Sequence, residues 1–458
     1  MINTNHKSKQ LQQKFIKQQI NKANAYSFFN LLTSPELLSV VEEQLPEHRE
    51  RLYPPTTTLS LFLTQCMNSD SSCQNTVNSH TVERVFNGLR PCSTQTGGYC
   101  RARQRLPLDM IMNLAKQTGN MVNRQLPTAW KWHNRNVKLV DGTTITMPDT
   151  TENQQVYPQQ RTQKPGLGFP IARMVAVICL SSGVVLDAAM SAIRGKGAGE
   201  HALFRKLLNC FESGDIVLAD RYYCSYFLIS TLLEKGIDVV FQQHGVRKTD
   251  FRKGKQLSVR DHVVSWEKPK VIPNWMTREE YNMFPDTLSL RETKTNKKVI
   301  VTSLLCDKKT PKKELSKLYY QRWNVELDLR NIKTTLGMEV LSCKTPEMNL
   351  KEMWAYFLAY NLIRLIMAEA AIQTDIKPRE ISFKHSLQLW LMWTRQTQGH
   401  NDMQILFTLI AQQKIGNRPG RTEPRAVKRR PKPFSLLMIP RDKLKAGKME
   451  YGHNGRLK

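Results

Sequence analysis

Near residue 130 the chain changes from helical periodicity to a series of short apolar runs rich in β-branched residues, and this change constrains the fold most. The runs NVKLVDGTTITM, ARMVAVICL and GVVLDAAMSAI have the composition and alternation of strands. The runs GDIVLAD and IDVVFQQH follow, and the stretches GEHALFRKLLNCFESG and YFLISTLLEKG before them have helical patterns. Strands in a hairpin-like group, followed by alternating helix and strand, predict an α/β fold.

The rest of the chain divides around this region. Residues 1–130 read as short helices behind a basic arm, because residues 1–25 contain five lysines and no acid. Residues 131–345 are expected to form the α/β core. A polar, proline-broken segment at about 246–295 interrupts this core, and we interpret it as a mostly β insertion. Residues 346–458 are predicted to be helical and to end in a basic tail.

Positive charge dominates the composition, with 68 Lys and Arg against 39 Asp and Glu and a net charge of +29. The tail at 414–458 alone has 14 basic residues against three acids. Such a surplus indicates a polyanionic partner, first of all nucleic acid, although a basic surface that binds nothing is an alternative. The N-terminal helices, with Arg101 and Arg105 on one face, fit either a DNA-binding module or an ordinary helical domain with a solvated basic face.

Cysteine usage and hydropathy bear on the compartment. The nine cysteines include no CxxC pair and no common zinc spacing, which indicates reduced thiols. The N-terminus lacks the apolar core of a secretory signal. The most apolar long run, 354–371, contains Asn361, Arg364 and Glu369, which favours a buried helix over a membrane span. We therefore expect a cytoplasmic protein that has no membrane partner.

The stretch YYQRWNVELDLRNIK, residues 319–333, reads as one helix with an unusual face. Tyr319, Arg322, Glu326 and Lys333 fall close to one line along a helix of 3.6 residues per turn. A surface ion pair at i, i+4 would explain Arg322 and Glu326 alone. A carboxylate that holds a metal ion, flanked by cations and a phenol that hold phosphates, would explain all four residues.

Phosphoryl transfer with two metal ions requires several converging acids, and two further candidates follow short apolar runs. Asp141 follows NVKLV and precedes Gly142, whereas Asp220 follows GDIVLA and precedes Arg221. Strand ends of α/β sheets are where sites gather, so we place both aspartates at strand ends. Taken singly, each aspartate could also be a turn former or a helix cap.

These residues together resemble a known family. The spacing Tyr319-x2-Arg322-x3-Glu326-x6-Lys333 is similar to the signature of the YREK group of bacterial insertion-sequence transposases. Asp141 in DGT, Asp220 in DRYY and Glu326 resemble the three acids of their DDE motif. The segments YPPTTTLSLFLTQCMNSDSSCQ, TGGYCRARQRLP and PRAVKRRPKPF are similar to these enzymes as well.

The resemblance implies a ribonuclease-H-like catalytic core interrupted by a mostly β insertion, with helical N-terminal DNA-binding and helical C-terminal regions. It implies that Asp141, Asp220 and Glu326 bind two Mg²⁺ ions, for which Mn²⁺ substitutes. The expected reaction is hydrolysis of a phosphodiester at each transposon end, followed by attack of the freed 3′-OH on target DNA. In some relatives a hairpin at the transposon end forms between these steps.

The same resemblance assigns the remaining roles. Tyr319, Arg322 and Lys333 are expected to contact DNA phosphates beside the cut. Arg221 either joins them or forms a salt bridge beside Asp220. The implied partners are double-stranded DNA, as transposon ends and target, and a second copy of the chain in a homodimer assembled on DNA. The implied location is the bacterial cytoplasm, associated with the nucleoid.

Two other functions are compatible with the sequence. The first is a catalytically inactive DNA-binding protein derived from a transposase, against which the intact acids argue. The second is a stand-alone metal-dependent nuclease, against which the length and the basic arms argue. Trp266 and Trp275, both in the predicted insertion, are interpreted either as core residues or as residues that stack on a displaced base.

Overall fold

The structure is a computed structural model that describes residues 52–86, 88–195, 197–296, 298–396, 403–416 and 443. The predicted basic arm at residues 1–25 lies outside these residues. So does nearly all of the predicted basic tail.

Among the described residues, four α-helices precede the sheet. They are α1 (Pro55–Met67), α2 (Cys73–Phe86), α3 (Gly97–Arg105) and α4 (Leu108–Gln125). Proline precedes the first residue of α1 and of α4, where its fixed φ suits a helix entry. In α4 the apolar residues recur every three or four positions and form one buried face.

Nine strands form one mixed sheet, in the order β3-β2-β1-β4-β5-β9-β8-β7-β6. Strand β1 pairs antiparallel with β2 and parallel with β4, and β4 pairs parallel with β5. All the remaining pairs are antiparallel. The strands are β1 (Val137–Thr146), β2 (Ile171–Cys179), β3 (Val185–Ala192), β4 (Ile216–Ala219), β5 (Asp238–Gln242), β6 (Lys255–Ser258), β7 (Asp261–Glu267), β8 (Thr287–Thr295) and β9 (Lys298–Thr302).

Helices lie between and after these strands, so the described part of the chain is a mixed α/β fold, as predicted. They are α5 (Thr151–Val156), α6 (Glu200–Lys206), α7 (Tyr226–Glu234), α8 (Arg278–Met283), α9 (Lys312–Tyr320), α10 (Asn324–Arg330), α11 (Pro346–Thr374), α12 (Phe383–Gln396) and α13 (Met403–Gln412).

The segment predicted to be an insertion, 246–295, contains β6, β7, α8 and β8. Its strands continue the same sheet through β9 rather than form a separate one. Inside it, the guanidinium of Arg291 donates to both carboxylate oxygens of Asp261, at 2.8 and 2.6 Å, and both side chains are buried. A paired and hydrogen-bonded ion pair of this kind is the form in which charge is tolerated in a protein interior.

Helix α11 is the central helix of the core. It packs against α1, α4 and α13, and its apolar side chains belong to one hydrophobic cluster that extends from Leu59 to Ala411. By length and composition it could cross a membrane, but 89% of its most apolar window is buried inside the protein. The prediction of a buried helix at 354–371 is therefore confirmed.

Candidate active site

Two of the predicted acids are brought together by strand register. In the parallel pair, Leu139 of β1 lies opposite Leu218 of β4, so the same register continued by two residues brings Asp141 beside Asp220. Neighbouring strands are about 4.8 Å apart, and side chains at matching positions of parallel strands point to the same face. The two carboxylates therefore share one edge of the sheet.

The prediction that both aspartates lie at strand ends is right for Asp220 and wrong for Asp141. Asp220 follows directly after β4, which ends at Ala219. Asp141 lies in the middle of β1, where it pairs with Ala176 of β2. The apolar run ends at Val140, but the β-branched residues that follow Gly142 continue to pair with β2 after β4 has ended.

Glu326, on α10, is joined to this edge through an arginine. The Arg322 guanidinium contacts the Glu326 carboxylate at 2.8 Å and the Asp141 carboxylate at 3.8 Å. The i, i+4 ion pair that the sequence allowed is therefore present, but the arginine also reaches across to the sheet. One cation lies between two of the three predicted catalytic acids.

The prediction of a single helix over 319–333 needs correction. Helix α9 ends at Tyr320, a 3₁₀ turn spans Gln321–Trp323, and α10 is followed by a π turn, Asn331–Thr335. The segment contains no glycine or proline that would mark these changes in the sequence. Changes of helical pitch rotate the later residues, so Lys333 contacts Thr143 of β1, at 3.2 Å, and Glu339.

Asp141 has an unusual electrostatic environment. Burial raises its pKa to about 6, and the negative charges of Asp220 and Glu326 act in the same direction. The backbone N–H of Gly142, which donates to Asp141 at 2.8 Å, and the Arg322 guanidinium oppose this shift of the pKa. Asp141 is therefore close enough to both other acids to feel their charges.

The donor set fits a divalent cation. Three carboxylates supply the oxygen ligands that Mg²⁺ and Mn²⁺ prefer, and their mutual repulsion is what a dication would relieve. Among the described residues, however, no three His, Cys, Asp or Glu side chains stand close enough to hold one ion. The Arg322 guanidinium already occupies the gap between Asp141 and Glu326. Holding an ion would therefore require side-chain movement.

The raised pKa of Asp141 predicts that Asp141→Asn stabilises the metal-free protein at alkaline pH. Between its ordinary pKa of 3.8 and about 6, the folded protein keeps a proton that the unfolded chain has released, so the free energy of unfolding falls as the pH rises. At pH 8 the ionised carboxylate costs about 3 kcal/mol by this linkage, and the amide removes that cost.

Thermal unfolding in EDTA measures this effect. Asp141→Asn should unfold at a higher temperature than the wild type at pH 8, and the difference should shrink toward pH 4.5. An unfolding temperature below that of the wild type at pH 8 would contradict this view of the environment of Asp141.

The other predicted site residues lie near the same edge. The buried Tyr319 hydroxyl donates to Gln242 at the end of β5, at 3.2 Å, and burial raises the pKa of Tyr319 to about 12. Arg221 is exposed and makes no salt bridge with any described residue, Asp220 included. The salt-bridge alternative for Arg221 is therefore wrong within the described part of the chain.

The two tryptophans differ. Trp266 is 2% exposed, and its indole N–H donates to Glu292 at 2.7 Å, so the core interpretation is right for it. Trp275 is 47% exposed, with the Arg205 guanidinium 3.9 Å from the centre of its ring. Its outer face is open to solvent.

A buried ionic cluster that no local sequence pattern predicts lies on α10, two residues after Glu326. Asp328 is fully buried and accepts hydrogen bonds from Arg364 of α11, at 2.6 Å, and from Arg379, at 2.7 and 2.8 Å. Arg379 also donates to the carbonyls of Cys179 and Leu180 at the end of β2. The cluster thus fixes α10 to both the central helix and the sheet. No local pattern in the sequence pairs residues so far apart.

Comparison with known proteins gives concordant results. The model of the family described as "Transposase DDE domain" matches residues 132–362, which include all three acids. The chain is 27% identical over 351 residues to the transposase InsG for insertion sequence element IS4 of Escherichia coli (strain K12). That alignment covers 72% of this chain and 76% of InsG.

Among solved structures, the chain is similar to a piggyBac transposase in a synaptic complex with hairpin DNA, determined by cryo-EM. The identity is 10%, the TM-score is 0.42, and 87% of each chain is covered.

Proposed function

Because the chain belongs to the Transposase DDE domain family, we propose that it is an active transposase that cuts and joins DNA at a site made of Asp141, Asp220 and Glu326. Membership of this family implies a DNA-cleaving and DNA-joining enzyme that uses divalent metal. The assignment of these three residues, the use of two Mg²⁺ ions and the steps of the reaction are our proposals.

One observation carries the assignment. The register of β1 and β4 brings Asp141 beside Asp220, and Arg322 joins Asp141 to Glu326. Acids separated by 79 and 106 positions in the chain therefore belong to one electrostatic unit. A protein that only binds DNA has no need to hold a largely buried carboxylate, Asp141, close to two further acids.

In the proposed reaction, the carboxylates of Asp141, Asp220 and Glu326 would hold two divalent ions, Mg²⁺ or Mn²⁺. When bound, such ions activate a water or a 3′-OH as nucleophile and stabilise the leaving oxygen. Asp141 and Asp220, on the rigid sheet, fix the position of the site, and Glu326 closes it from α10. The Gly142 amide and Arg322 keep Asp141 available in its ionised form, because both lower its pKa.

The basic residues around the acids are proposed to hold the DNA backbone. Arg221 is exposed beside Asp220, and Arg322 is charged and adjacent to Glu326. Lys333 reaches from the π turn to Thr143, two residues after Asp141, and Tyr319 lies at the end of β5. Guanidinium and ammonium groups bind phosphate oxygens through charge-assisted hydrogen bonds, so this set suits a strand that crosses the acids.

The same proposal extends to the subgroup, the domains, the partners and the location of the protein. We infer membership of the YREK subgroup, a ribonuclease-H-like core in residues 131–345 with an insertion at 246–295, a DNA-binding region in residues 1–130, and a helical C-terminal region in residues 346–458. Transposon ends and target would be double-stranded DNA, bound by a homodimer in the bacterial cytoplasm at the nucleoid.

An assay of cutting and joining tests the proposal. The full chain is incubated with DNA that carries the ends of its own element, a target plasmid and Mg²⁺ or EDTA, and the new 3′ ends are mapped. We expect cuts at the element ends and joined products with Mg²⁺ and none with EDTA. Binding without any cut would favour the inactive DNA-binding protein, and cutting without joining would favour the stand-alone nuclease.

The net charge of +29 predicts that binding to DNA weakens steeply with salt. A protein that contacts six or more phosphates loses about a thousandfold in affinity between roughly 50 and 200 mM salt, because counterions are released on binding. Fluorescence anisotropy with labelled end DNA over this range measures the slope. Nearly constant affinity would contradict an interface dominated by phosphate contacts.

Two matched variants test whether Arg221 contributes to this salt dependence of DNA binding. Arg221→Gln should reduce the slope of log affinity against log salt by about one, as expected for one lost phosphate contact. Arg252→Gln is the control, since Arg252 is also exposed but is already paired with Asp250 at 2.9 Å. Equal slopes for the wild type and Arg221→Gln would exclude Arg221 from the interface.

A further inference from the structure

A fourth carboxylate, which no motif in the sequence indicates, lies at the proposed active site. Glu200 is the first residue of α6, and its carboxylate lies directly over Gly142, the residue after Asp141. A Cβ at position 142 would be 2.5 Å from the carboxyl carbon of Glu200 and 2.8 Å from each of its oxygens. The missing side chain at Gly142 therefore makes room for this carboxylate beside Asp141.

The contacts of Glu200 connect it to Asp220 as well. The hydroxyl of the buried Tyr223 donates to Glu200 at 3.3 Å, and Tyr223 follows Asp220 by three residues. Burial raises the pKa of Tyr223, and the charges of Glu200, Asp141 and Asp220 all raise it further. One phenol is therefore within electrostatic reach of three carboxylates.

Local contacts explain the negative charge of Glu200 only in part. A first-turn glutamate is favourable at a helix N-terminus, but that effect operates equally well with the side chain in solvent. Accepting a hydrogen bond from Tyr223 needs only a neutral oxygen, which glutamine also has. Among the described residues, Arg173 forms a salt bridge with Glu200 at 3.8 Å, and both side chains are partly exposed. A fourth charge beside Asp141 and Asp220 adds repulsion that a bound dication would offset.

We propose that Glu200 is a fourth acidic residue of the site, whose charge strengthens the divalent-ion binding assigned above to Asp141 and Asp220. The inference rests on the proposed function and adds a residue to it. It also explains why residue 142 is a glycine: any side chain there would collide with the Glu200 carboxylate.

Titration of the metal-free full chain with Mn²⁺, without DNA, tests the proposal by calorimetry. Glu200→Gln keeps the size and the acceptor for Tyr223 but removes the charge, so we expect about tenfold weaker Mn²⁺ binding at unchanged unfolding temperature. Glu234→Gln is the matched control, since Glu234 is exposed at the end of α7, and it should bind Mn²⁺ as the wild type does.

Gly142→Ala provides a second test, because its methyl group would displace the Glu200 carboxylate without removing its charge. Only the end of a flexible side chain must shift, so the fold should persist. We expect Gly142→Ala to weaken Mn²⁺ binding as much as Glu200→Gln does, and the double variant to bind no more weakly than either single variant.

The outcomes separate this inference from the proposed function. If Asp141→Asn loses Mn²⁺ binding while Glu200→Gln binds within about twofold of the wild type, then Glu200 has only a structural role and the inference is wrong. If Asp141→Asn also binds Mn²⁺ like the wild type, then the metal site itself is misassigned and the proposed function fails with it.

Discussion

Replacing any one of the three acids should abolish cutting and joining of DNA while leaving the protein folded. Asp141→Asn, Asp220→Asn and Glu326→Gln each keep the size of the side chain and remove its charge. Because the three carboxylates act as one unit, each single variant should lose about a thousandfold or more in rate, and double variants should lose little more. The rates of strand cleavage under single-turnover conditions, with Mg²⁺, measure this effect.

A control variant and a measurement of DNA binding show whether a loss of cutting is specific to the three acids. Asp109→Asn removes an exposed carboxylate from the first turn of α4 and should cut at the wild-type rate. All variants should bind end DNA at least as tightly as the wild type, since they remove negative charge beside a polyanion. A triad variant that cuts within about tenfold of the wild type would remove that residue from the proposed site.

Asp328→Ala is expected to be the most destabilising single substitution considered for this chain. The substitution leaves Arg364 buried and without its carboxylate, and it deprives Arg379 of two hydrogen bonds. Removing one member of a buried ionic cluster costs about 3–5 kcal/mol in free energy of unfolding. Urea denaturation measures this loss. Asp250→Ala, which breaks an exposed pair with Arg252, is the control and should leave the free energy of unfolding unchanged.

The Asp328 cluster should also matter for activity. Asp328 lies two residues after Glu326 on α10 and fixes that helix to α11 and to the end of β2. At a temperature where the variant is still folded, Asp328→Ala should cut more slowly than the wild type because Glu326 is no longer held in place. A variant of full stability would show that Arg364 and Arg379 find other partners and that the cluster is not the anchor of α10.

The sequence predicted the strands of the sheet well, because its β-branched runs are short, apolar and separated by clear helical patterns. It also singled out Asp141 and Asp220, which the register of β1 and β4 brings to matching positions. It misplaced Asp141 at a strand end because the length of β1 depends on β2, a partner whose register no local pattern reveals.

Other features depend on contacts that no local pattern encodes. The 3₁₀ and π turns around α10 contain no glycine or proline that would mark them in the sequence. Glu200 and Asp328 look like ordinary helix residues in the sequence. Their importance comes from what lies opposite them, Gly142 in one case and two buried arginines in the other.

Anomalous diffraction from crystals of the protein with end DNA and Mn²⁺ is the most direct test of the central claim, that Asp141, Asp220 and Glu326 together bind the catalytic ions. We predict anomalous peaks in contact with the carboxylates of Asp141 and Asp220, with Glu326 contacting at least one of the ions and Arg322 withdrawn from the gap. Manganese bound elsewhere, with these three carboxylates apart and Arg322 still between them, would contradict the account.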